Sequence, residues 1–317
     1  MTASDARPNS IAEVIAEHRS RGAVIVLDGG LGTELEQRGC DLNHPLWSAR
    51  VLMESPDVVT GVHKDYFDAG ASIVSSASYQ ATPLACRAQG MSDAEAIDLL
   101  EHSVRLVTDA RDQCDASGDE RLRWVAGSVG PYGAYLADGS EYRGDYEVPH
   151  DELKEFHRAR IAALVSAGAD LLACETIPQL AEAQALRELI DEFGVPAWMS
   201  FTLRDEEHIS DGTSIARIAE LVDDSPNVVA VGINCVPLKR VSPALRVLAA
   251  HTSKPLIAYP NSGETYDATT HTWRAAPSGS TLADNAAEWS RLGAVLLGGC
   301  CRTTPADIAA LAHAVGV

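Results

Sequence analysis

Eight short apolar runs recur along the chain, and the stretches between them repeat apolar residues every three or four positions. The runs are "AVIVLD" (23–28), "SIVSSAS" (72–78), "WVAGSV" (124–129), "DLLACE" (170–175), "AWMSFT" (197–202), "VVAVGIN" (228–234), "PLIAYP" (255–260) and "AVLLGG" (294–299). Most are apolar at nearly every position, as expected of strands covered on both faces of a parallel sheet. The stretches between them read as amphipathic helices. Segment 57–70 ends on a glycine, 151–168 opens on acids and closes on Gly168, and 178–194 starts on Pro178 and stops at Gly194. "AGA" at 69–71 and 167–169, and "LGA" at 292–294, mark helix-to-strand turns. With no Pro/Gly/Ser linker between halves, the pattern predicts an α/β fold: a single (β/α)8 TIM barrel forming one domain over 1–317. An open doubly wound sheet is the alternative.

In such a barrel the chemistry sits on the loops that follow the strands. Those loops carry Asp28, Tyr79, Glu175, Asn234, Cys235, Asn261, Cys300 and Cys301, which places them on one face. Composition narrows the function. Of 317 residues 46% are hydrophobic, enough for a full core, but only 5% are aromatic, so aliphatic residues must fill it. The charge, 25 basic against 45 acidic for a net of −20, with no basic cluster, excludes nucleic acid and anionic membranes as partners. The N-terminus is polar and no apolar run reaches the ~18 residues of a membrane span, so a cytoplasmic location is expected. Seven cysteines at irregular spacing do not form a disulfide framework.

Cys235 ends the sixth run, and Cys300 with Cys301 follows the eighth. Neighbouring side chains on a strand point to opposite faces, so two adjacent thiols can meet only across a sharp turn. Gly298 and Gly299 are expected to give that turn its freedom. Three thiolates suit tetrahedral zinc with a fourth position left open, the form of a catalytic site. An open position suits a substrate thiol, and a zinc already carrying three thiolates activates water poorly. Buried packing thiols and a vicinal redox pair of Cys300 and Cys301 remain as alternatives. Cys40, Cys86, Cys114 and Cys174 read as bystanders. No histidine directly follows a strand, which counts against a zinc hydrolase.

The chain resembles the homocysteine S-methyltransferase family, in its bacterial and plant branch that uses S-methylmethionine. The resemblance rests on "DGGLGTELEQRG" (28–39), "SASYQATP" (76–83), "AGSVGPYGAYLADGSEYRGDY" (126–146), "LLACETIP" (171–178), "FTLRDEEHISDGT" (201–213), "GINC" (232–235), "YPNSGE" (259–264) and "GGCCRTTPADI" (298–308). The pairing of "GINC" with "GGCC" is the most specific part, and Gly29-Gly30 is where relatives vary.

The resemblance implies a barrel with Zn2+ at the C-terminal face of its strands, held by Cys235, Cys300 and Cys301. It implies methyl transfer from S-methylmethionine, and as a second donor S-adenosylmethionine, to the thiol of L-homocysteine, forming methionine. Asp28 and Glu175 map onto the clamp for the amino-acid ammonium, and Gly29 and Gly30 leave backbone free to approach its carboxylate. Asn234 either orients the ligand or caps a strand end, and Tyr79 either contacts substrate or packs at the rim. Loop 130–146 carries Tyr132, Tyr135, Tyr142 and Tyr146, which either face a sulfonium cation or pack on one another. Selenocysteine or selenohomocysteine as acceptor, or a non-enzymatic zinc or thiol-redox protein, are the other readings. The expected partners are small-molecule substrates, and the chain is expected to act as a monomer.

Overall fold

A computed structural model describes residues 10–42, 48–118, 121–262, 265–267, 272–274 and 279–317. Gly263 and Glu264 of the "YPNSGE" motif fall outside them, as do residues 1–9. Eight parallel strands form one sheet: β1 (Ile25–Val26), β2 (Ile73–Ser75), β3 (Trp124–Val129), β4 (Leu171–Ile177), β5 (Ala197–Phe201), β6 (Val228–Asn234), β7 (Leu256–Tyr259) and β8 (Ala294–Leu297). They follow the order β1-β8-β7-β6-β5-β4-β3-β2. A parallel bridge between Leu27 and Ile73 joins the two ends, with Ser72 N–H donating to the Val26 carbonyl at 2.7 Å. That closure excludes the open doubly wound sheet.

Alternation along the strands sorts residues into two layers. Val26, Val74, Val125, Leu172, Met199, Val231 and Leu297 join the larger core, which also contains helix residues. Ile25, Leu27, Ile73, Trp124, Leu171, Trp198, Ile257 and Leu296 fill the barrel interior, with Ala126, Ala173 and Ala230 leaving room for the two tryptophans. The helix Ile11–Arg21, opened by a capping box of Ser10 and Glu13, adds Ile11, Val14 and Ile15 to that interior cluster and plugs the barrel. Continuing the inner positions upward gives Ser128, Glu175, Ser200, Asn234 and Tyr259, so the barrel turns polar toward the C-terminal ends of its strands.

Several elements differ from the sequence expectation. The first two strands are shorter than 23–28 and 72–78. After Ser75 hydroxyls take over from the backbone ladder: Ser128 N–H donates to Ser76 Oγ at 3.1 Å, and Ser78 Oγ donates to the Ser128 carbonyl at 2.7 Å. The fourth strand runs past 175 to Ile177, after a break in register. The three helices expected over 57–70, 151–168 and 178–194 are Pro56–Asp68, His150–Ser166 and Leu180–Phe193. Gly168 and Gly194, at φ 88° and 62°, do terminate the latter two. An antiparallel pair, Thr265–Asp267 with Thr272–Arg274, follows β7.

A candidate metal centre at the barrel mouth

Cys235 follows the last residue of β6. Its N–H still donates to the Tyr259 carbonyl at 3.1 Å, but at φ 52° its backbone leaves the strand direction. After β8 the chain is tied alternately to its neighbours. Gly298 N–H donates to Ala258, Gly299 N–H to Asp28 at 2.9 Å, and Cys300 N–H to Pro260 at 2.8 Å. Cys300 and Cys301 therefore lie beyond the strand, where alternation no longer separates them. The turn itself is made at Arg302, φ 66°, whose N–H donates to Thr33 Oγ1 at 2.9 Å. Gly298 and Gly299 are not in the left-handed region, contrary to the sequence expectation. They serve close packing instead: a Cβ on Gly298 would come 2.6 Å from Leu27 Cβ, and one on Gly299 2.3 Å from Thr303 Oγ1.

The three Sγ atoms lie within 4.8 Å of one another, with Cys235 and Cys301 3.5 Å apart. Two sulfurs bound to one zinc at about 2.3 Å in a tetrahedron stand about 3.8 Å apart, so the spacing fits a single ion. Three soft sulfur donors favour zinc over hard cations such as magnesium or calcium. Cys235 is the thiol held below its ordinary range, because Cys300 and then Cys301 direct protons to it and Tyr142 adds its hydroxyl at 3.4 Å, against the effect of burial. No other cluster of three or more potential ligands occurs among the described residues.

Two carboxylates share this mouth. Asp28 accepts from Ser75 N–H at 2.7 Å, yet burial raises its pKa, and Glu175 raises it further. Glu175 is pushed up to about 7 by burial, against hydrogen bonds from Ser128 Oγ at 2.5 Å and from Tyr259. Among the described residues no ion pair reaches either acid. Both are short of a cation, and an ammonium supplies one.

The remaining expected residues surround this pair. Gly29 and Gly30 lie against the cysteine turn: a Cβ on Gly30 would be 2.7 Å from the Cys300 carbonyl oxygen, and one on Gly29 2.8 Å from Thr303 Oγ1. Gly30 N–H donates to Thr303. Asn234 is fully buried, with its amide engaged on one residue. Thr176 N–H donates to its Oδ1 at 2.7 Å, and its Nδ2 donates to Thr176 Oγ1 at 2.8 Å. Thr176 has φ 63°, so Asn234 holds a left-handed turn directly after Glu175. Tyr79 is half-buried on the loop after β2, against Gly130, where a Cβ would meet its ring at 2.7 Å.

Loop 130–146 divides its tyrosines between the two expected roles. Tyr132 packs on Tyr135, Tyr146 and Phe156 at centroid distances of 5.4, 5.6 and 4.8 Å. Tyr142 alone reaches the thiols. The loop is anchored by three buried residues that the sequence reading passed over: Glu182, His157 and Arg160. Glu182 accepts from Tyr132 N–H at 2.6 Å, from the Tyr146 hydroxyl, and from His157 at 2.7 Å. Arg160 donates to the Gly130 carbonyl and to His157 Nδ1. An arginine donating to Nδ1 leaves the proton on Nε2, facing Glu182, and burial with the Arg160 charge lowers the His157 pKa to about 4. A signal existed: His157 and Arg160 fall at apolar-face positions of their helix, in register with Leu153, Ile161 and Leu164.

The homocysteine S-methyltransferase family pattern matches residues 25–315. The homocysteine S-methyltransferase of Escherichia coli is 51% identical over 291 residues, 91% of this chain and 94% of its own, and that of Bacillus subtilis is 50% identical over 294 residues, 91% and 93% respectively. The metallated form of the Escherichia coli homocysteine methyltransferase MmuM superposes with a TM-score of 0.85 at 48% identity, covering 92% of this chain and 96% of that one.

Proposed function

The chain belongs to the homocysteine S-methyltransferase family, and we propose that it works with zinc held by Cys235, Cys300 and Cys301. It is an enzyme that transfers a methyl group to homocysteine sulfur, and S-methylmethionine fits as donor. One observation carries the reading: three sulfurs within 4.8 Å of one another stand beside two acids that lack a cation.

Bound there, zinc would keep the substrate thiol deprotonated at neutral pH and leave its sulfur electron-rich. Asp28 and Glu175 receive the homocysteine ammonium, and that positive charge draws both acids back toward their ionised forms. Gly29 and Gly30 keep side chains out of the space beside the cysteine turn. Tyr142 covers the thiols from the loop side with its hydroxyl against Cys235, where it excludes water. The homocysteine sulfur attacks the sulfonium methyl carbon in line. A new S–C bond forms, the old one breaks with its electron pair staying on the leaving sulfide, and two methionines result. Holding the reacting atoms in contact is the chain's main contribution to rate.

A sulfur acceptor is preferred to a selenol because the bacterial relatives at 50–51% identity are homocysteine enzymes, while the broccoli selenocysteine Se-methyltransferase is 43% identical. The proposed single domain over 1–317 is supported by strands that run uninterrupted around one barrel, and the chain is proposed to act as a monomer. A cytoplasmic location suits seven unpaired thiols, and no described helix is long and apolar enough to cross a membrane. The test is methionine formation from homocysteine and S-methylmethionine by zinc-loaded protein, with a chelated control and S-adenosylmethionine run alongside. Cys301→Ala should lose bound metal and activity together; activity retained without metal would overturn the zinc reading.

A further inference from the structure

Glu141 stands next to Tyr142 in the 3-10 turn Ser140–Tyr142, on the loop that overhangs the thiols. Its backbone is fixed. The carbonyl accepts from Thr202 Oγ1 at 3.0 Å, and its amide lies so near Gly133 that a Cβ there would come within 2.5 Å. The side chain is half-buried, and among the described residues Oε2 is enclosed with no hydrogen-bond partner. Its neighbour Tyr142 reaches Cys235 Sγ at 3.4 Å, and Thr202, which holds its carbonyl, directly follows β5, so Glu141 stands at the barrel mouth beside the thiols. The neighbouring cation Arg143 is exposed and is engaged by Asp145 at 2.8 Å and by the Asp138 carbonyl at 3.0 Å.

An enclosed carboxylate oxygen without a donor is costly, so its natural partner comes from outside the chain. The chemistry of that partner follows from the lone pair. A sulfonium is positive but carries no N–H or O–H, and cannot satisfy a carboxylate oxygen by hydrogen bonding. An ammonium offers three protons. The homocysteine ammonium is taken by Asp28 and Glu175 on β1 and β4, which leaves the ammonium of the second amino acid. We propose that Glu141 binds the α-ammonium of the methyl donor, and that it selects amino-acid sulfonium ions over simpler ones. This rests on the donor reading above.

The test compares S-methylmethionine with 4-(dimethylsulfonio)butanoate, the same sulfonium without its amino group, in wild type, Glu141→Gln and Glu141→Asp. Losing one charge-assisted hydrogen bond should raise the S-methylmethionine KM about ten- to a hundredfold in Glu141→Gln. Glu141→Asp, which keeps the charge but is one methylene shorter, should fall between. The homocysteine KM and the metal content should not change. Turnover of the butanoate, or its Ki against S-methylmethionine, should be the same in all three proteins. An equal loss with both sulfonium ions, a change in homocysteine KM alone, or no change in Glu141→Gln would overturn the assignment while the reaction stands. No methionine from either sulfonium with metal-loaded wild type would refute the donor reading and this assignment with it.

Discussion

Replacing Asn234 by alanine tests how the acceptor clamp is held. The side chain is fully buried and makes two hydrogen bonds, both to Thr176, at 2.7 and 2.8 Å. Its loss leaves the Thr176 N–H without a partner, for about 1–3 kcal/mol, and removes a second bond of about 1 kcal/mol. The void adds to that, giving roughly 3 kcal/mol in all, or a fall in Tm of about 4–5 °C for a chain of this size. Thr176 at φ 63° also stores about 1–3 kcal/mol of backbone strain that Asn234 holds in place. Without it the turn should relax and move Glu175, raising the homocysteine KM. Thr176→Gly removes both the strain and the hydroxyl, so Asn234→Ala should cost about 1–2 kcal/mol less in that background. Thermal unfolding and steady-state kinetics of the four proteins complete the cycle. An additive cycle with unchanged Tm would refute the role of Asn234 as the brace of this turn. A raised KM without loss of stability would place its amide on the substrate instead.

Gly30→Ala should weaken metal binding at least about tenfold although Gly30 offers no ligand atom, because a Cβ 2.7 Å from the Cys300 carbonyl forces the cysteine turn outward. Titration against a competing chelator reads this, with Gly279→Ala, which has open space around it, as the neutral control. Two buried histidines should each draw stability down with acid. Burial lowers the pKa of His63 to about 3, and burial with Arg160 lowers that of His157 to about 4. Below pH 6.5 the unfolded chain takes up protons that the folded chain refuses, so stability drops by up to about 1.4 kcal/mol per unit for each residue. Between pH 6.5 and 5 the two together cost about 3 kcal/mol. Glu175 and Glu141 oppose this, because burial raises both to about 7 and the folded chain takes up their protons in the same range. The readout is therefore a difference: His63→Gln should lose about 1.5 kcal/mol less than wild type over that range, read by urea midpoint. The same pH dependence in wild type and His63→Gln would show that the His63 ring accepts a proton in the folded chain.

The barrel was legible because its strands are buried on both faces and so read as unbroken apolar runs. Where hydroxyls replace the ladder, as at Ser76 and Ser78, the same residue types look like strand and the boundary is lost. The convergence of Cys235, Cys300 and Cys301 could be anticipated, but the means could not. Arg302 and Cys235 take positive φ without being glycines, while the glycines beside them serve contact rather than turning. A single sequence also cannot show that Tyr142 leaves its three companions to face the thiols. That depends on the Glu182 anchor, which pairs residues 25 to 50 positions apart across two helices and the loop.

The helix Ile11–Arg21 closes one end of the barrel with Ile11, Val14 and Ile15, so the interior has no passage from end to end. Two amino acids must enter, react and depart through the same mouth. The proposed acceptor clamp lies on the inner wall with the overhanging loop above it, an arrangement in which a donor bound on the loop would cover the acceptor. The expected order is homocysteine first and the donor second, checked by initial-rate and product-inhibition patterns. The plug at the base thus leaves the traffic of both substrates to be settled by the arrangement at the top. Excess donor would then slow the enzyme by arriving early and standing in the doorway.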